Sequence, residues 1–167
     1  EPKPYERIPM EKSGGVWRAE VSGDLHGIFY TYEIDSRETI DIYARSAGAN
    51  GLRGMVTDLS RTDPDGWEDS RPVKLESYTD AVIYELHVRD FSSDESGNFH
   101  LRGKFGAFCE KNVTNAFSDM IGLDYIAKLS VTHIHLLPVF DYQTVDENDP
   151  EAGFNWGYDP LNYNIPE

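Results

Sequence analysis

Apolar and polar positions follow two different rhythms along this chain. In the first half the period is two. "GVWRAEVSG" puts Trp17, Ala19 and Val21 on one face, and "GIFYTYEI" does the same for Ile28, Tyr30, Tyr32 and Ile34, with "GDLHG" as the turn between them. "TIDIYA" and "GMVTDL" are third and fourth strand candidates. Short alternating segments between Gly-, Asp- and Asn-rich turns predict a small antiparallel, Ig-like β-sandwich. Residues 61–80, "RTDPDGWEDSRPVKLESYTD", are polar and carry two prolines, which marks a linker or boundary.

Beyond that boundary the rhythm changes. "AVIYELHVRDF" (81–91) and "VTHIHLLPVF" (131–140) are apolar on both parities, as in strands covered on two sides. Between them "IGLDYIAKLS" (121–130) has helical spacing through Ile121, Tyr125 and Leu129. Strand, helical crossover and parallel strand make a βαβ unit. One such unit leaves half a core and open strand edges. The pattern breaks off mid-fold, and the chain begins with Glu1 without a signal sequence, so a processed product or a piece of a longer chain is expected.

Composition narrows the partners. Thirty acidic against 15 basic side chains give a formal net charge of −15, which disfavours nucleic acid and anionic membranes and is compatible with a neutral sugar. No apolar run approaches the length of a membrane span. Bacterial cytoplasm and secretion both stay open. One cysteine, Cys109, cannot form an internal disulfide and is expected to be a small core side chain.

The densest chemistry is "FNWGYDPLNY" (154–163). Aromatic rings stack on the C–H face of a pyranose, while nearby amides and carboxylates bond its hydroxyls. The same residues also suit a loop pinned by aromatic packing, with Asp159 capping a turn. "HIH" places His133 and His135 on one strand face, as half of a metal site or as structural histidines. Glu85, His87 and Arg89 share a face and read as a polar network more readily than as catalysts. Trp17, Tyr30 and Tyr32 fit packing better than a starch-binding face. "DENDPE" (146–151) lacks the spacing and the glycine of an EF-hand, so a solvated acidic loop is expected; no cofactor is implied, and a structural calcium has no motif to support it.

Taken jointly, "AVIYELHVRDFS", "GLDYIAKLSVTHIHLLPVFDYQTVDE" and "FNWGYDPLNYNIPE" resemble the opening of the catalytic barrel of type I pullulanases. These are α-amylase-superfamily enzymes of glycoside hydrolase family 13 that hydrolyse α-1,6 linkages. "DIYARSAGANGLRGMVTDLSRTDPDGW" is similar to the tail of the family 48 carbohydrate-binding type of β-module that precedes it. Ile42, His135 and Phe154 stand where that family usually has proline, glutamine and tyrosine.

The resemblance implies residues 1–78 as an incomplete β-sandwich module and 79–167 as the first two β/α units of a (β/α)8 TIM barrel. It implies an α-glucan substrate, with Tyr158 or Tyr163 as stacking platform, Asn155 and Asp159 as hydroxyl partners and Trp156 as wall. The family's nucleophilic aspartate, general-acid glutamate and third aspartate sit on barrel strands four, five and seven. No catalytic residue is therefore expected here, the chain alone should be inactive, and the rest of the enzyme would be a second polypeptide. A non-catalytic starch- or glycogen-binding protein and a metal-dependent barrel hydrolase are the rival readings.

Overall fold

A computed structural model describes residues 6–149 and 153–167. The described residues are β-rich, laid out as five two-stranded sheets with one α-helix and short 3-10 turns. The first sheet is a hairpin of β1 (Glu11–Ser13) and β2 (Val16–Arg18). Its two-residue loop, Gly14-Gly15, has positive φ at both positions, the twist that a tight hairpin demands. β3 (Phe29–Tyr30) pairs with β6 (Gly54–Met55), and β4 (Tyr32–Ile34) pairs with β5 (Arg37–Thr39), all antiparallel.

The expected Ig-like sandwich is not what these pairs build. "GIFYTYEI" breaks at Thr31, so its two ends pair with different partners, and Ile28 and Ile34 stay exposed while Tyr30 and Tyr32 are half-buried. Burial, then a hydrogen bond from the Tyr30 hydroxyl to Asp41 Oδ2 (2.7 Å), pushes the Tyr30 phenol upward. Trp17 is 59% exposed, with Lys12 over its ring, so the first hairpin buries no core face. "TIDIYA" is a strand only as far as Thr39. Asp41 then closes a turn, its Oδ1 accepting from Tyr43 N–H (2.9 Å) and its carbonyl from Ala44 N–H (3.0 Å). A turn there agrees with the proline that the resembling family carries in place of Ile42.

In the second half β7 (Ile83–Leu86) and β8 (His133–Leu136) run parallel, in the register Glu85↔His135, with α1 (Gly122–Lys128) between them in sequence. The strands are not covered on two sides: Ile83 is 63% exposed. Two strands and one short helix offer too little surface to enclose either sheet face. In α1 the buried residue is Ile126, whereas Tyr125 and Leu129 face outward.

The apolar core lies in the long connection between β7 and α1, which has no helical or strand period. Phe99, Ala107 and Val113 are buried together, with Phe91 and Ile121 packed on them and Phe91 stacked on Phe108 at 4.2 Å. Cys109, expected inside, is exposed.

β9 (Phe140–Tyr142) and β10 (Pro160–Pro166) form an irregular antiparallel pair. The 49–51 turn of the first half seats on it. Asn50 and Glu147 exchange hydrogen bonds (N–H to Oε2, 2.5 Å; N–H to Oδ1, 2.9 Å), and Asn162 Nδ2 donates to Gly51 O (3.0 Å). Among the described residues no helix is long and apolar enough to cross a membrane.

Candidate functional site

The 153–160 segment closes on itself through polar side chains. Asn155 Oδ1 accepts from Gly157 N–H (2.6 Å), and Asn155 Nδ2 donates to Thr144 Oγ1 (2.6 Å). The same Thr144 hydroxyl donates to Asp159 Oδ2 (2.6 Å), while Asp159 O accepts from Gln143 N–H (2.9 Å). Thr144, then Asn155, hold the Asp159 carboxyl below the usual carboxylate range. Its Oδ1 is buried with no hydrogen-bond partner among the described residues. Gly157 is obligatory here. Its φ is +85°, and a Cβ would strike the Pro138 carbonyl, which already accepts the Tyr142 hydroxyl (2.7 Å).

The turn after β7 grips the segment from the other side. His87, 8% exposed, places Nε2 3.0 Å from Asn155 O, with its ring 5.2 Å from Phe154 and 6.1 Å from Trp156. Arg89 Nη1 donates to Gly153 O (3.0 Å), and its guanidinium lies over the Phe154 ring.

Of the five expected sugar-binding residues, Asn155 and Asp159 are thus engaged in bracing the loop. The rings stand open: Trp156 is 58%, Tyr158 70% and Tyr163 67% exposed. Trp156 packs edge-on to Phe154 at 5.3 Å, whereas Tyr163, on β10, leans on Phe140 at 5.9 Å, so the two rings belong to separate aromatic pairs. A cleft of about 640 Å³ lies beside the loop, lined among others by His87, Arg89, Phe105, Tyr142 and Asn155. Asn155 is the one expected residue that lines it.

Thr144, the node of the loop, carries no signal in the sequence: its partners are 11 and 15 positions away. The carboxylates of Asp141, Glu147 and Glu167 likewise carry no joint signal in the sequence. They offer oxygens within 4.8 Å of one another and are the group among the described residues that could hold a cation. Burial and then the charges of Glu147, Asp141 and Asp159 push Glu167 upward, against a hydrogen bond from Tyr142 N–H (2.7 Å). The acidic run 146–151 is not simply solvated. Asp146 accepts from Asn50 and Asn148, and Glu147 is half-buried against Asn50; Pro150 and Glu151 lie outside the described residues. His133 and His135 belong to no such group. His135 Nδ1 meets Glu85 Oε2 at 2.9 Å, and His133 Nδ1 meets Thr132 Oγ1 at 2.8 Å.

No family model matches the chain. The pullulanase of Bacillus subtilis is 40% identical over 168 residues, an alignment covering 98% of this chain and 22% of that protein. The solved pullulanase of Bacillus acidopullulyticus superposes with a TM-score of 0.90 at 38% identity, covering 98% of this chain and 21% of that one. The pullulanase of Paenibacillus barengoltzii in complex with maltohexaose and α-cyclodextrin superposes with a TM-score of 0.88 at 42% identity, covering 96% and 26% respectively. Each relative carries the matched stretch inside one longer chain, so the expected second polypeptide finds no support in them. By sequence and by structure alike, the chain is homologous to a stretch of the pullulanases that makes up about a fifth to a quarter of their length.

Proposed function

We propose that this chain is the part of an α-glucan debranching hydrolase that supplies a wall of the substrate site, in an enzyme cutting α-1,6-glucosidic links of pullulan or amylopectin. The observation that carries the reading is the pair of open rings, Trp156 and Tyr158, on a loop braced by the bonds among Asn155, Thr144 and Asp159. Rings held this way can meet a pyranose face without ordering the loop first. That the Paenibacillus relative was solved with maltohexaose supports a glucan as the ligand.

In this reading residues 1–78 are the β-module and 79–167 open the barrel, with β7 and β8 as its first two strands. Trp156, Tyr158 and Tyr163 contact the sugar by stacking. Asn155 and Asp159 act through the loop, by the bonds that brace it. A retaining mechanism needs two carboxyls about 5–5.5 Å apart on either side of the scissile bond. In a barrel such groups come from the ends of several strands, and two strands do not supply them. The chain alone is therefore inactive. The non-catalytic glucan-binding alternative is not favoured, because the similar proteins are named as pullulanases.

Affinity electrophoresis in amylopectin tests the wall. The chain is retarded, and Trp156→Ala weakens the affinity roughly two- to tenfold, the worth of one stacked ring. Equal retardation of the variant and the parent chain refutes the assignment. A parallel assay on pullulan gives no turnover above the blank, and clear turnover by the 167-residue chain refutes its inactivity.

A further inference from the structure

The chemistry of one buried imidazole goes further than the wall itself. Nε2 of His87 lies 3.0 Å from the Asn155 carbonyl, an oxygen that can only accept, so Nε2 carries the hydrogen in every protonation state that keeps the contact. Nδ1 is buried and has no hydrogen-bond partner among the described residues. Its nearest charge is Asp90 Oδ1 at 3.8 Å, beyond hydrogen-bonding distance. The ring is fixed from its edges by Phe154 and Trp156. Two residues on, Arg89 holds Gly153 O, with its guanidinium over the Phe154 ring.

We infer that His87, held as the Nε2–H tautomer, is the positioning residue of the aromatic loop, linking the end of the first parallel strand to the backbone between Phe154 and Trp156. It does not touch the sugar. It sets where Trp156 stands, and so this inference rests on the wall reading above only for its functional consequence.

The test separates the two ring nitrogens. In the chain carrying ¹⁵N-histidine, long-range ¹⁵N–¹H correlation shows the hydrogen of His87 on Nε2. The opposite tautomer overturns the inference without any variant being made. Gln can place its amide nitrogen where Nε2 sits, whereas Asn mimics Nδ1. In a Trp17→Phe, Trp67→Phe background, His87→Gln keeps the Trp156 emission and binds maltotriose within about twofold of the parent. His87→Asn shifts the emission to the red and weakens binding by about five- to tenfold, the worth of one hydrogen bond. Unchanged emission and affinity in His87→Asn overturn the positioning role, as does a His87→Gln that behaves like it. A parent chain that binds no maltotriose, while the emission responds as stated, refutes the wall reading and leaves the positioning role standing.

Discussion

Gly51→Ala tests the joint between the two halves of the chain. Gly51 is buried with φ +60°, and a Cβ there would run into Asp141 Oδ2, with Asn162 Nδ2 at 2.5 Å and Asp141 Cγ at 2.8 Å. Asp141 is 1% exposed and cannot swing into solvent, so the collision is with a fixed carboxylate. Left-handed backbone at Ala costs about 1–2 kcal/mol. Overpacking a closed site adds about 1–3 kcal/mol. Asn162 must also loosen its bonds to Gly51 O and Asp141, each worth about 1 kcal/mol. The total is about 4–7 kcal/mol, a large share of the stability of an ordinary domain. Gly66→Ala is the matched control, for Gly66 has φ +80° and nothing within 4 Å of its hypothetical Cβ, leaving only the backbone term of about 1–2 kcal/mol. In urea, with a slope of about 2 kcal/mol/M, Gly51→Ala lowers the midpoint by roughly 1.5–2.5 M more than the control. Midpoints that agree within about 0.3 M refute the clash argument.

Three further outcomes follow from the same contacts. Thr144→Val removes the hydroxyl between Asn155 and Asp159 at nearly constant volume; the Asp159 carboxyl then rises toward its ordinary 3.8, which a carboxylate-resolved NMR titration reads. Because the native value is lowered, the stability from Asp159 is present above pH 3.8 and lost as pH falls through the lower native value, and this acid-side loss shrinks in Thr144→Val when the two chains are compared by thermal melts. Glu167→Gln has the opposite sign: a raised native value means a penalty that is full above that value and absent below the ordinary 4.5, so the variant melts higher at pH 7 and the gain disappears below pH 4.5, provided the amide keeps its carbonyl on Tyr142 N–H. Phe99→Ala empties the centre of the aromatic cluster and costs about 3–5 kcal/mol in urea unfolding, and a loss under about 1 kcal/mol shows that the core lies elsewhere.

How much of this was legible depended on how local the signal was. The parallel pair and its helix could be read, because runs such as "VIYEL" and "THIHL" state their β character within five residues. Trp17, Ile28 and Ile34 misled, since alternation shows which side chains share a face and says nothing about whether anything packs on it. "TIDIYA" misled because one aspartate folded its side chain back on the chain and stopped the strand. The core could not be seen: Phe91, Phe99, Ala107, Val113 and Ile121 recur at no fixed spacing, and only the folded connection brings them together. Asn50 and Glu147 are 97 positions apart, so neither announces the other. The "NWGYDP" motif was visible as chemistry, but its division of labour was not.

That division bears on how the wall would work. An asparagine and an aspartate beside tyrosine and tryptophan invite the assignment of polar groups to hydroxyls and rings to sugar faces. Here one threonine hydroxyl uses its single donor on Asp159 and accepts from Asn155, and the other end of the asparagine closes the turn at Gly157. A polar group committed at 2.6 Å inside the loop is a poor first contact for a sugar, because binding would have to break one bond to make another. The rings carry no such commitment. On the proposed function, affinity then rests on Trp156 and Tyr158, while Asn155, Thr144 and Asp159, with His87 from the far side, determine where those rings stand. Truncating a ring removes contact area with the loop intact, whereas truncating a brace leaves the area and lets it move, so the former shows chiefly in the dissociation rate and the latter also in the emission of Trp156 with no sugar present.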